Sequence, residues 1–162
     1  MASGELSVKV ALNSWKLVVE RLDRVFSRLS EAQFSKEVAP GTNRLIYLLG
    51  HLTAINDAML PILGLGTQLH SELDTMFVST PDKSAQLPAV HELKKCWSEV
   101  NSRLLSQFAN LSADEWLLRH DAMSEDDYVK EPTRNRLAVL LSRTNHMSYH
   151  LGQINLAIEQ LV

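Results

Sequence analysis

The chain has 162 residues, 45% of them hydrophobic and 22% charged, which is the composition of a globular protein and excludes disorder of the whole chain. The formal net charge is −3 and no basic stripe is present, which argues against nucleic-acid binding. We see no apolar run long enough to span a membrane and no signal peptide, and a single cysteine excludes an internal disulfide, so we expect one cytoplasmic domain over residues 1–162.

The first segment with a helical period runs from about Glu5 to Leu29. Apolar residues recur there at alternating steps of four and three, and neither glycine nor proline interrupts them. The repeating residues are Val8, Leu12, Trp15, Val19, Leu22 and Phe26. This pattern predicts a long amphipathic helix with one buried face.

A proline and a glycine within residues 39–43 end this pattern, and Thr42 or Asn43 can cap a second helix. Its apolar residues are Leu45, Leu48, Leu49, Leu52, Ile55, Met59 and Ile62. Pro61 is expected to kink or shorten this helix. Residues 67–86 have little periodicity and are predicted to form a loop with one short helical piece.

Pro88 fits the first turn of a third helix. The apolar positions of that helix are Val90, Leu93, Trp97, Val100, Leu104 and Phe108. Residues 111–133 are rich in acids, which is typical of a solvated connection. A fourth helix is predicted from about Arg134 to Leu161, with a buried face made by Leu137, Leu140, Leu141, Thr144, Met147, Leu151, Ile154 and Ile158. Without any strand pattern, four such helices predict an all-α four-helix bundle.

Two histidines of the fourth helix, His146 and His150, are four residues apart and therefore neighbours on one helix face. This spacing suits one metal ion, but it also arises by chance, so a helix with two partly exposed histidines is an open alternative. His51 lies among apolar residues in the second helix, where it can face the pair as a third ligand. The remaining histidines occur in loops or at polar positions and are interpreted as surface residues: His70, His91 and His120.

Three neutral imidazoles bind divalent zinc, nickel, copper, iron or manganese and leave coordination positions for water or substrate. A closed structural zinc site would need a fourth ligand, and nothing in the sequence places Cys96 near the histidines. The sequence lacks the Glu-x-x-His motif of di-iron bundles and the His-Glu-x-x-His motif of zinc proteases. It also lacks nucleotide-binding and serine-hydrolase motifs. An open three-histidine site is therefore favoured.

The run from His146 to Ile154, with its His-x3-His-Leu-Gly-Gln order, resembles the C-terminal signature of the DinB/YfiT-like superfamily. The segment 43–52, ending in Gly50-His51-Leu52, resembles the second-helix signature of the same superfamily. The resemblance covers nearly the whole chain. It implies a bundle of up-down-down-up type with a long crossover and frequent homodimers. It also implies a divalent metal ion, most often nickel or zinc, with iron or manganese as further options, held by His51, His146 and His150.

Some members of this superfamily activate a low-molecular-weight thiol, as bacillithiol transferases and mycothiol-dependent isomerases do. The resemblance thus implies a metal-dependent enzyme that acts on a small molecule, as a thiol S-transferase or a hydrolase. A non-catalytic metal-binding or stress-related interaction bundle is the alternative. Many relatives carry an acid just after the first histidine of the pair, where this chain has Met147.

Four further residues near the pair have candidate roles. Gln153 and Asn145 are candidates for hydrogen bonds that orient the ligands, and polar residues of the helix surface or of bundle packing are the alternative interpretation. Arg143, one turn before His146, could attract an anionic group, although a solvated charge is the alternative interpretation. Gly152 is expected to permit close helix packing.

Overall fold

The structure is a computed structural model that describes residues 3–159, and within this range it contains helices and no β-strand. The described helices longer than eight residues are α1 (Ser3–Arg28), α3 (Leu45–Asp57), α6 (Val90–Phe108) and α9 (Arg136–Glu159). The shorter ones are α2 (Glu31–Phe34), α4 (Met59–Ile62), α5 (Glu72–Asp74), α7 (Ala113–Trp116) and α8 (Glu125–Lys130). A π-helix, Thr75–Ser79, follows α5 directly. The predicted all-α class is confirmed.

The helix boundaries agree closely with the apolar periods of the sequence. Helix α1 ends at Arg28. Helix α3, the second of the predicted helices, ends at Asp57, four residues before Pro61. Proline has no amide proton to donate to the carbonyl of Asp57, so the α-helical hydrogen-bond ladder breaks there and α4 continues as a separate turn. The predicted end of the last helix, Leu161, lies outside the described residues.

Aromatic contacts fix the relative direction of α1 and α6. The ring centroids of Trp15 and Phe108 are 5.1 Å apart, and those of Phe26 and Trp97 are 5.7 Å apart. Trp15, in the first half of α1, thus contacts the last residue of α6, whereas Phe26, near the end of α1, contacts the middle of α6. The two helices are therefore antiparallel. Helix α9 packs along α1, and α3 packs against both α6 and α9, which brings α3 and α9 together at the centre of the molecule.

Leu141, predicted to be buried, is 45% exposed, whereas Leu140 is fully buried. The buried residues of α9 follow steps of three and four from Leu140 through Thr144, Met147 and Leu151. A residue next to this stripe is rotated by about 100° around the helix axis and turns toward solvent. Burial of Leu140 is therefore confirmed, and the prediction that Leu141 is also buried was wrong.

The segment 67–86 contains α5 and the π-helix and packs against α3. Two of its side chains, Leu73 and Phe77, are buried. The fully buried carboxylate of Asp57 accepts hydrogen bonds from the backbone amides of Leu69 and His70 at 2.9 and 2.7 Å. These amides hold the start of the segment on the end of α3, so its later residues, including the π-helix, lie beside the middle of α3.

The window Leu45–Ile62 passes the length and composition test for a membrane-crossing helix, with a mean hydropathy of 1.3 over 18 residues. The expectation that no apolar run reaches this length was therefore wrong by that measure. Within the fold, 67% of the window is buried, and α3 ends inside it. A core helix that packs against neighbours on several sides has the same composition.

Candidate metal centre

His51 on α3 lies next to His146 and His150 on α9, and one ring nitrogen of each falls within 4.8 Å of the others. The Nε2 atom of His146 is 3.3 Å from Nε2 of His51 and 3.1 Å from Nε2 of His150. Two nitrogens that each lie 2.0–2.1 Å from one tetrahedral zinc ion are separated by about 3.3–3.4 Å. The fold thus brings the three sequence-predicted residues together at a spacing that suits one ion.

The orientation of His51 is set by the backbone of the π-helix. Its Nδ1 atom lies 2.8 Å from the carbonyl oxygen of Phe77. Because a carbonyl oxygen only accepts, Nδ1 carries the ring proton and donates it. The lone pair on Nε2 therefore faces the other two histidines, which is the tautomer required of a metal ligand.

His150 is oriented in the same way by a side chain from the next turn of α9. Its Nδ1 atom lies 2.8 Å from Oε1 of Gln153. The Gln153 amide nitrogen in turn donates to the hydroxyl of Tyr149 at 3.1 Å, which keeps the amide oxygen turned toward the histidine. The predicted role of Gln153 as an orienting group has this contact in its favour, while Asn145 is exposed.

His146 differs from the other two, because its Nδ1 atom is buried and has no hydrogen-bond partner among the described residues. Burial lowers the pKa of His146 to about 4, and the charges of His150, His51 and Arg143 add to this effect. Burial also lowers the pKa of His150, against the opposing effect of the Gln153 hydrogen bond. Both rings are therefore neutral at pH 7, and neither has to release a proton before it binds a cation.

The donor set fits a divalent metal ion. His51 and His150 each direct an unprotonated Nε2 at His146, which has a single ring proton in its neutral form. If the proton of His146 is on Nδ1, it has no partner. If it is on Nε2, it can be donated to only one of the two facing nitrogens, either that of His51 or that of His150. A buried polar atom without a partner costs about 1–3 kcal/mol. A cation at the point where the three nitrogens converge would satisfy all of them at once.

Gly50 has a steric role next to His51. A Cβ atom at this position would lie 2.3 Å from the ring of Phe77. Only glycine lets the π-helix approach α3 closely enough for the Phe77 carbonyl to reach the imidazole. At Gly152, by contrast, a Cβ would meet no atom within 4 Å, so the expectation that Gly152 permits close packing was wrong.

Met147 points into the core rather than toward the histidines. It is fully buried, and its sulfur accepts a hydrogen bond from Asn56 at 3.3 Å. The same Asn56 amide donates to Asn101 at 2.8 Å. In the described part of the chain, no aspartate or glutamate joins the histidine cluster. A proton in this site therefore has no carboxylate of the cluster to accept it.

The other three histidines lie outside the cluster. His91 is exposed, and His70 contacts Glu99 at 3.0 Å. His120 is half-buried, and its Nδ1 atom is buried without a partner within the described range, so it is only in part a surface residue. The segment 111–133 folds back onto the body of the molecule, where Trp116 is fully buried, so it is not simply a solvated connection.

The family comparison agrees with these observations. The family model of the DinB superfamily matches residues 15–154, a range that includes all three histidines. No curated protein matches the chain at a significant level. Because the matched range covers far more than half of the sequence, the chain belongs to the DinB superfamily.

Proposed function

We propose that this member of the DinB superfamily binds one divalent metal ion through His51, His146 and His150 and acts as a metal-dependent enzyme on a small molecule. The observation that carries the proposal is the convergence of three Nε2 atoms, two of them held in the ligand tautomer by carbonyl oxygens. The family resemblance favours nickel or zinc, and iron or manganese is also compatible with three imidazoles.

The proposed reaction is of thiol S-transferase or hydrolase type. A divalent ion bound at three histidines acts as a Lewis acid and makes a thiol or water nucleophilic at neutral pH. The chain's own residues orient this centre: the Phe77 carbonyl fixes His51, and Gln153 fixes His150. The rings of Tyr47 and Tyr149 flank the centre, parallel to His51 and edge-on to His150 respectively. They would cover these faces of the imidazoles and limit the access of water.

A non-catalytic metal-binding or stress-related interaction protein is the second candidate. Met147, at the position where many relatives have an acid, favours it, because the described cluster then has no carboxylate to move a proton. The two candidates share the same ligands and differ in turnover. An enzyme without this acid would have to rely on the metal ion alone to activate its nucleophile.

The metal test uses protein purified without an affinity tag. We expect about one metal ion per chain by elemental analysis and a loss of that metal in His51→Ala. The matched control is His91→Ala, since His91 is an exposed histidine on α6. A chain that is purified free of metal and binds zinc and nickel no more tightly than the His51→Ala variant would contradict the proposal.

The activity test loads the protein with nickel or zinc and supplies a small thiol with an aromatic electrophile, or an activated ester alone. Turnover should require the metal and fall to background in His146→Ala. Turnover that persists in His146→Ala would rule out the proposed role of the triad. Metal-dependent stability without turnover across such substrates would favour the second candidate.

We further propose that α1, α3, α6 and α9 form an up-down-down-up four-helix bundle with a long crossover, in one domain over residues 1–162. The antiparallel contacts of α1 and α6 support this arrangement. A small-molecule substrate, a homodimeric state and a cytoplasmic location remain predictions. Size-exclusion chromatography with light scattering would test the dimer.

A further inference from the structure

A cavity of about 360 Å³ lies between α9, the end of α4 and the segment before α9. Its charged and polar lining comes from His120, Arg134 and Arg143, with Asn135 and Ser142. Ile62, Ala138 and Val139 contribute an apolar wall. The cavity thus combines guanidinium groups with a hydrocarbon surface.

The two arginines of this cavity have no acidic partner among residues 3–159. None of the ion pairs in the described part of the chain includes Arg134 or Arg143. The Nε atom of Arg143 is buried and has no hydrogen-bond partner among the described residues. Burying a charged donor without a partner is costly, so an anion that paired with Arg143 would relieve that cost.

The charges that act on His120 at this cavity are mainly those of arginines. Burial lowers the pKa of His120, the charges of Arg134 and Arg119 lower it further, and the opposing charge of Asp121 has the smallest effect. His120 is therefore neutral at pH 7 and can offer a neutral hydrogen-bonding nitrogen next to the arginines. Its buried Nδ1 atom has no partner within the described range.

The cavity and the histidine cluster share one stripe of α9. Val139, Arg143, His146 and His150 follow at steps of four, three and four residues, which places them on the same helix face. Arg143 and His146 are separated by an axial rise of about 4.5 Å. The charge of Arg143 also acts on the pKa of His146, in keeping with this proximity.

We propose that this cavity binds the carboxylate of a short organic acid at its arginines, with the body of the acid on the apolar wall of Ile62 and Val139. A planar carboxylate matches the bidentate geometry of a guanidinium. The apolar wall favours an organic anion over inorganic phosphate, which has no hydrocarbon to bury. Anion binding by the two arginines does not depend on the proposed metal site.

The test is a titration of the full chain with hexanoate, followed by two-dimensional amide NMR at low salt. We expect saturable shifts in residues 134–143 and no comparable binding of hexanamide, the uncharged analogue. Arg143→Met should weaken hexanoate about tenfold or more, because a charge-assisted hydrogen bond is lost. Arg134→Gln, an exposed substitution that cannot disturb the core, should weaken it as well.

The matched control is Arg103→Met, which removes an exposed arginine of α6 and should leave hexanoate binding unchanged. Equal affinity in Arg143→Met, Arg134→Gln and the unmodified protein would overturn the proposal. Binding of phosphate as tight as that of hexanoate would overturn the assignment to an organic acid.

Metal analysis of the same protein samples separates this inference from the proposed function. If the protein binds no metal but hexanoate still depends on Arg143, the proposed function fails while the anion site stands.

Discussion

Two polar clusters lie where α3 meets the other core helices, and they use their hydrogen-bonding capacity differently. In the first, Asn56 donates to Asn101 and to the sulfur of Met147, and Asn101 donates to the carbonyl of Trp97. Each donor in these contacts points at an acceptor, and the cluster joins three helices; Oδ1 of Asn56 is buried without a partner within the described range. We call it the asparagine cluster.

The second cluster is the histidine triad, on α3 and α9. The outer nitrogens of His51 and His150 are fixed by Phe77 and Gln153, but the three inner nitrogens face one another at 3.1 and 3.3 Å with at most one proton, that of His146, among them. A group with more facing acceptors than donors does not stabilise a fold by itself. This difference indicates a structural role for the asparagine cluster and a cation-binding role for the triad.

The largest expected effect comes from Gly50→Ala, which should damage the triad and leave the asparagine cluster intact. The new Cβ would overlap the Phe77 ring and force the π-helix away from α3. Overpacking of this kind costs about 1–3 kcal/mol or more, and we expect about 3 kcal/mol in the free energy of unfolding by urea denaturation. Metal affinity should fall too, because the Phe77 carbonyl would no longer hold His51.

The control for this substitution is Gly152→Ala on α9, where a Cβ meets open space. Replacement of an exposed helical glycine by alanine should stabilise the protein slightly. If Gly50→Ala were as stable as Gly152→Ala and bound metal normally, the steric account of the Gly-His-Leu signature would be wrong.

Next in size is Asn101→Leu, which removes an acceptor of Asn56 at the buried asparagine cluster. An unsatisfied buried donor costs about 1–3 kcal/mol, so we expect the free energy of unfolding, measured by urea denaturation, to fall by about 2 kcal/mol. Zinc affinity, measured by competition with a chromophoric chelator, should change by less than about threefold. A loss of zinc affinity as large as that of His51→Ala would show that the two clusters are coupled and not separate.

The predictability of these two clusters from sequence differs for a physical reason. The three histidines could be identified because His51 lies in the apolar run of a helix and the other two share a helix face. The Phe77 carbonyl could not, because it comes from a π-helix in a segment without periodicity. Arg143 was predicted as a residue that could attract an anionic group, but the cavity around it was not, since it depends on a long-range backbone hydrogen bond from Asp121 to Ile62 that brings the connection onto α4.

A smaller effect is expected for Gln153→Leu, which removes the group that orients His150 while it leaves all three imidazoles in place. Loss of such an orienting hydrogen bond typically weakens metal binding 10–100-fold, and we expect about tenfold here. Asn145→Leu, an exposed position on the same helix, is the control and should have no effect on chelator competition. Equal metal affinity of the two variants would show that the Gln153 contact does not position the ligand.

The smallest expected effect is the pH dependence of the metal-free protein. In the folded state the pKa of His146 is about 4, against an ordinary value of 6.5, so between these values the unfolded chain binds a proton that the folded chain does not. Stability of the metal-free protein should therefore fall as the pH drops from about 6.5 to 4, and not above this window. The ring is partly exposed, which reduces the contribution to about 1–2 kcal/mol.

In His146→Gln this part of the pH dependence, measured by urea unfolding, should disappear, whereas Asn101→Leu should retain it. Retention of the full slope in His146→Gln would mean that other groups cause it, and the triad would then differ less from the asparagine cluster than its geometry implies.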